Sequence, residues 1–118
     1  MTIRMKSFAY SQGRAPNGAV ELDCRPLRNP HHSPTLRSLT GLDAAVQDYV
    51  RVDPGYADLE KAAIDAASTC AGGVTIAFGC FGGKHRSVAV AEMTARRLRE
   101  SGFHVEIEHT ALRDSKCS

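Results

Sequence analysis

The stretch that most limits what this chain can become runs from Val74 to Ser87. Val74-Thr75-Ile76-Ala77-Phe78 is a short apolar run rich in β-branched residues, the pattern of a strand covered on both faces. It passes directly into Gly79-Cys80-Phe81-Gly82-Gly83-Lys84-His85-Arg86-Ser87. Apolar residues at helical spacing (Val88, Ala91, Ala95, Leu98) then predict a helix from about Ser87 to Ser101, closed by Gly102. Phe103 to His109 alternates apolar and charged residues and predicts a last strand. Strand, helix and strand in that order make a βαβ unit, with a right-handed crossover and paired strands parallel.

The rest of the chain supplies partners for that unit. Thr2 to Tyr10 and Ala19 to Cys24 read as strands, separated by the turn formers Gly13-Arg14-Ala15-Pro16-Asn17-Gly18. Arg25-Pro26-Leu27-Arg28-Asn29-Pro30-His31-His32-Ser33-Pro34 contains three prolines, which exclude regular helix or central strand. A stiff polar loop of that length in a small domain is more often functional than a passive connector. A short helix follows over Ala44–Arg51. Asp53-Pro54 then provides an N-cap and a helix-compatible proline for a second helix, which runs to about Cys70 and ends at Gly72-Gly73. With 118 residues, 42% of them hydrophobic, the chain suits one domain over 1–118. The expected fold is α/β: a mixed sheet with a C-terminal βαβ unit and helices packed on it.

Composition narrows the function classes. No run approaches the roughly 20 apolar residues of a membrane span. The start has no apolar signal region, and the four cysteines form no CxxC pair, so a reduced, cytoplasmic protein is expected. The net charge of +2 neither demands nor excludes an acidic partner.

The glycine loop carries the chemistry. Glycines allow close backbone approach, and the helix start adds unpaired N–H donors and partial positive charge. Lys84, His85 and Arg86 add cationic side chains, and Ser87 can cap the helix or donate its hydroxyl. Together these favour an anion, phosphate being the usual one. The plainer alternative is a tight turn with solvated cations. Walker A fits poorly: Gly79 stands four residues before Gly83-Lys84-His85, one residue short and without the magnesium-binding hydroxyl. Cys80, Gly83, Arg86 and Ser87 also satisfy Cys-x-x-Gly-x-x-Arg-Ser, which resembles the loop of cysteine-dependent phosphatases. Gly79 stands where those enzymes carry histidine, and a buried, inert Cys80 is the competing reading. His31-His32 fits no zinc spacing, so no metal and no cofactor are expected.

A longer pattern spans most of the chain. Asp23-Cys24-Arg25-Pro26-Leu27-Arg28-Asn29-Pro30-His31, then Leu36-Arg37-Ser38-Leu39-Thr40-Gly41-Leu42-Asp43, then Val46 and Tyr49-Val50, then Gly79 to Ser87 resembles the C-terminal domain of the RapZ/YvcJ family, the RNase adapter proteins. The resemblance covers about residues 5 to 114. It implies an α/β domain similar to a phosphofructokinase subdomain that binds a phosphorylated metabolite such as glucosamine-6-phosphate. For some members it also implies binding small, structured RNA and self-association. Carried over, Gly82, Gly83, Lys84, His85, Arg86 and Ser87 form the phosphate cradle, and His31, Asn29, Arg25 and Asp23 complete the pocket from the proline loop. The family's N-terminal nucleotide-binding domain is not in the sequence, so hydrolysis of ATP or GTP is not expected. Phe81 replaces the usual threonine, and only Arg113 and Lys116 stand where RNA-binding members carry a basic cluster.

The expected function is therefore a binding or sensing domain for a phosphorylated small molecule, with RNA or a protein as regulatory partner, a tendency to homo-oligomerise, and no membrane contact. The alternative is a phosphatase using Cys80 and Arg86. Arg96, Arg97 and Arg99 read as a solvated helix face, with an RNA-facing role as the alternative.

Overall fold

The computed structural model describes residues 2–69 and 73–112. The sequence pattern becomes structure with small shifts at the ends. Strand β1 spans Thr2–Ala9, β2 Val20–Asp23, helix α1 Ala44–Arg51, helix α2 Pro54–Thr69, strand β3 Val74–Cys80, helix α3 Arg86–Glu100 and strand β4 His104–His109. A short 3-10 turn, Pro30–His32, lies inside the proline loop. Asp53 caps α2 as its position before Pro54 predicts, its carboxylate accepting from the Gly55 amide at 2.9 Å. Gly102, at φ 95°, ends α3, and the Phe103 amide returns to the Leu98 carbonyl.

The α/β class holds, and two expectations about the sheet change. Its order is β2-β3-β1-β4, and every pairing is parallel rather than mixed. The strands of the C-terminal βαβ unit are not neighbours, because β1 lies between β3 and β4. The side chains fit that order. Arg4 and Lys6 of β1 stand beside Glu106 and Glu108 of β4, each pair 3.7 Å apart, on the face that alternates with buried Ile3 and Met5. The charged alternation of β4 suits an edge, while the buried run of β3 belongs in the interior.

Helix α3 packs on β1, β3 and β4 and against α1 and α2. Its first half is buried all round, with Val88, Ala89, Val90 and Ala91 fully enclosed. That anchors the helix start, so the loop between β3 and α3 is held at the carboxyl end of the sheet, where parallel α/β folds bind ligands. Gly79 has to be glycine: a Cβ there would lie 2.6 Å from ring atoms of Phe8 and Tyr10, which stack edge to face.

Candidate functional site

Strand β3 ends at Cys80, and the chain crosses Phe81, Gly82, Gly83, Lys84 and His85 to reach Arg86, the first residue of α3. Gly83 makes the turn at φ 66°, and a side chain there would press on Ala9 and Ala111. Gly82 faces open space. The amides from Gly82 to Arg86 have no acceptor among the described residues. The Ser87 amide turns to the Cys80 sulfur at 3.4 Å.

The three cations of the loop are all used in one way: each donates to main-chain carbonyls of the segment between β2 and α1. Arg86 Nη1 reaches the carbonyls of Arg25 at 2.6 Å and Leu27 at 3.3 Å. Lys84 Nζ and His85 Nε2 converge on the Arg37 carbonyl at 3.0 and 3.2 Å. The Gly41 amide answers with a bond to the Lys84 carbonyl at 2.9 Å. These acceptors are neutral, so the bonds orient the side chains without cancelling their charge. None of the three makes an ion pair with a described carboxylate.

Beside this loop lies a cleft of about 370 Å³ lined by Asn29, His31, Cys80, Phe81, Gly82, Lys84, His85 and Arg86. Among the described residues, no acidic side chain lines it. Asn29 prepares its outer wall: its side-chain oxygen accepts from the His31 amide at 3.0 Å and caps the Pro30–His32 turn. The His31 and His85 rings lie 6.4 Å apart. Burial, and then the neighbouring Lys84 charge, hold the His85 imidazole below its usual range, which favours its neutral form. A larger, more open hollow of about 650 Å³ lies at the amino end of the strands, where Arg4 is the one charged side chain among the described residues that line it.

The sequence-predicted residues divide into two groups. Gly82, Lys84, His85, Arg86, His31 and Asn29 meet at the cleft. Asp23 and Arg25 instead pair with each other, Arg25 Nη2 donating to Asp23 at 2.8 Å, and the Arg25 guanidinium lies 3.9 Å over the Tyr10 ring. Arg25 contributes to the cleft through its carbonyl, as the anchor of Arg86. That partnership holds the Asp23 carboxyl below the usual carboxylate range. Ser87 is fully buried, its hydroxyl accepting from the Cys80 thiol at 3.1 Å, and His85 rather than Ser87 is the N-cap residue of α3. Cys80 lines the cleft yet is only 2% exposed.

Gly41 is the participant that residue chemistry does not reveal. A Cβ on it would lie 2.6 Å from the His85 carbonyl and crowd the Ala89 amide, so the segment before α1 presses directly on the first turn of α3. A glycine beside a helix start it must touch has no periodic signature. The arginines of α3 make internal bonds: Arg96 to the Gln47 side chain, Arg97 toward Glu60, and Arg99 to the Val105 carbonyl. Arg113 and Lys116 lie outside the described residues, as do Cys70, Gly72 and Cys117. No helix among the described residues is long and apolar enough to cross a membrane.

The family model for the RapZ C-terminal domain matches residues 1–113. The chain belongs to that family. Among curated relatives, a nucleotide-binding protein of Acidiphilium cryptum is 42% identical over 120 residues, covering 95% of this chain and 40% of that protein. A nucleotide-binding protein of Cereibacter sphaeroides is 41% identical, again over 95% of this chain and 40% of its own length. A third, from Thermobifida fusca, is 41% identical over 90% of this chain and 39% of its own. The chain thus spans about two-fifths of the relatives it matches. The part shared with them contains the whole cleft of this RapZ C-terminal domain.

Proposed function

We propose that this domain binds a phosphorylated small molecule in the cleft beside Gly82–Arg86 and signals its presence through the proline loop. The observation that carries this reading is the pairing pattern of the loop. Its amides lack internal acceptors, while Lys84 and Arg86 are oriented by neutral carbonyls and keep their charge available, with the His85 imidazole oriented beside them. Unpaired amides at a helix start, flanked by unneutralised cations, match a tetrahedral dianion. The volume of about 370 Å³ suits a small metabolite. Because the same cations hold the carbonyls of Arg25, Leu27 and Arg37, an anion that draws on them changes how the proline loop is held. That loop is then the surface a partner reads, whether structured RNA, a protein or a second copy of the chain. Calorimetric titration with inorganic phosphate is the test. Saturable binding to the wild type, weakened about tenfold or more in Lys84→Ala, supports the reading; absence of any heat at millimolar phosphate overturns it.

The phosphatase alternative draws on one feature of its own: both the amide and the hydroxyl of Ser87 lie within hydrogen-bond distance of the Cys80 sulfur. The enclosure of Cys80 and the engagement of Arg86 with two carbonyls favour binding over turnover. Hydrolysis of an aryl phosphate that disappears in Cys80→Ser would reverse that preference. An RNA-facing role for α3 has less support, since Arg96 and Arg99 each donate a hydrogen bond within the domain.

A further inference from the structure

The glycine loop does not fix its own shape, because its amides from Gly82 to Arg86 have no acceptor among the described residues. It is held from two sides. In front, Lys84, His85 and Arg86 grip carbonyls of the segment between β2 and α1. Behind, the backbone of Gly83 rests on Ala9, the last residue of β1, and on Ala111, just past the end of β4. A side chain on Gly83 would place its Cβ 2.6 Å from the Ala111 methyl group and 3.0 Å from Ala9. The front contacts use the very side chains that an anion would draw on. The rear contact involves no charged group, so it holds the turn at φ 66° with the cleft filled or empty.

Ala111 is kept in place by polar contacts that the cleft itself does not require. Among the described strands β4 pairs with β1 alone, so the end of this edge strand depends on side chains for anchorage. The Thr110 hydroxyl donates to the Ser7 carbonyl at 3.0 Å. The Ser7 hydroxyl lies 2.6 Å from Nδ1 of His109, its register partner across the β1–β4 pairing. On the far side of the ring, His109 Nε2 donates at 2.7 Å to the carboxylate of Glu92, in the second turn of α3. Serine, histidine and glutamate in contact are also the residue types of a hydrolytic triad, but Ser7 is fully buried and meets no substrate. The three side chains instead tie together the elements that surround Gly83: β1, the end of β4 and the first half of α3.

Resting on the phosphate reading above, we infer that His109 is a positioning residue for the anion cradle. It joins β1 to α3 across the end of β4, which sets Ala111 against Gly83 and thereby the direction in which the Gly82–Arg86 amides point. His109 does not line the cleft; it reaches the anion through Gly83. A cradle held ready in this way binds without first ordering its loop, and the saving appears as affinity.

The test is calorimetric titration of the whole chain with inorganic phosphate, with the thermal midpoint of each variant measured alongside. His109→Ala is expected to weaken phosphate binding by about fivefold to tenfold. His109→Gln, whose side-chain amide takes the place of Nε2 and still donates to Glu92, should bind within about twofold of wild type. Glu92→Ala breaks the same chain from α3 and should weaken binding by a similar factor, which decides the matter where His109→Ala fails to fold. Ala67→Gly is the control for lost stability: it alters a buried position in the last turn of α2, which leads to the start of β3 rather than to the cleft. It should lower the midpoint and leave phosphate affinity unchanged. A folded His109→Ala or Glu92→Ala variant with wild-type affinity overturns the inference and leaves phosphate binding intact. So does a His109→Gln variant as weak as His109→Ala, or an Ala67→Gly variant that loses as much affinity. A wild-type chain that takes up no phosphate removes the phosphate reading and this inference with it.

Discussion

Arg86 Nη1 lies 2.6 Å from the carbonyl oxygen of Arg25, joining the first residue of α3 to the start of the proline loop. A second bond to the Leu27 carbonyl, at 3.3 Å, makes the guanidinium a bridge between two distant parts of the chain. Arg86 is only 8% exposed, so deleting it strands buried carbonyls as well as removing charge from the cleft. Arg86→Ala should therefore lose about 2–3 kcal/mol of stability, and its melting temperature should fall by roughly 8–12 °C. Thermal unfolding followed by circular dichroism checks this; an unchanged midpoint would show the bridge to be dispensable. Lys84→Ala, whose single bond lies at the surface, should fold normally and is the cleaner probe of anion binding.

Two glycines of the same region should respond in opposite ways. Gly41→Ala drives a methyl group into the backbone of the first turn of α3, where neither partner can move aside cheaply. A loss of about 2–3 kcal/mol or more is expected, visible as a lower urea midpoint. Gly82 has open space around its missing side chain and no positive φ, so Gly82→Ala should stay within about 0.5 kcal/mol of wild type. It should nonetheless weaken phosphate binding, because its methyl group occupies the cleft wall. Equal stability losses in the two variants would contradict this.

His85 makes stability depend on pH. Its folded-state value lies below the ordinary 6.5, so between the two values the unfolded chain binds more protons than the folded one. The His85 contribution is therefore complete above 6.5 and is lost as pH falls through the lowered value. Urea midpoints measured from about pH 5 to about pH 7.5 should rise with pH, and the slope should flatten in His85→Gln. Saturating phosphate should also flatten it, since an anion beside the ring stabilises its charged form.

A second titratable group acts at lower pH. Ser7 of β1, His109 of β4 and Glu92 of α3 form a chain of hydrogen bonds, 2.6 Å from Ser7 to His109 Nδ1 and 2.7 Å from Nε2 to Glu92. The bond to His109 holds the Glu92 carboxyl below its ordinary 4.5. Stability from this source is present above 4.5 and disappears as pH falls through the folded value. Glu92→Ala should cost about 1–2 kcal/mol at neutral pH, and its acid unfolding limb should be shallower than that of wild type. Parallel acid limbs in the two proteins would exclude the linkage.

Much of the architecture follows from local pattern. Helix α1 occupies Ala44–Arg51 as its periodicity predicts, and Asp53-Pro54 and Gly102 punctuate helices where capping chemistry requires. Strand order does not follow in the same way: nothing within Thr2–Ala9 states that it will lie between two later strands, because its partners begin at Val74 and His104, some 70 and 100 residues away. At the site, residue types pointed to the loop but not to the use of its side chains. Whether Arg86 faces a ligand or a carbonyl is decided by where the proline loop folds, which composition does not encode. The Asp23–Arg25 pair was closer to legible. Residues two apart on extended backbone lie on the same side, and an acid and a base so placed meet each other first.

The position of β1 between β3 and β4 also governs how the domain is assembled. Within this domain, β1 has no sheet partner until residues beyond 73 have emerged, and its second edge stays bare until β4 follows. Such distant pairings slow folding and leave unpaired strand edges exposed meanwhile. The cleft, which forms on the finished sheet, is accordingly among the last features of a newborn chain to mature, and a nascent domain cannot sense its ligand before translation of the sheet is complete.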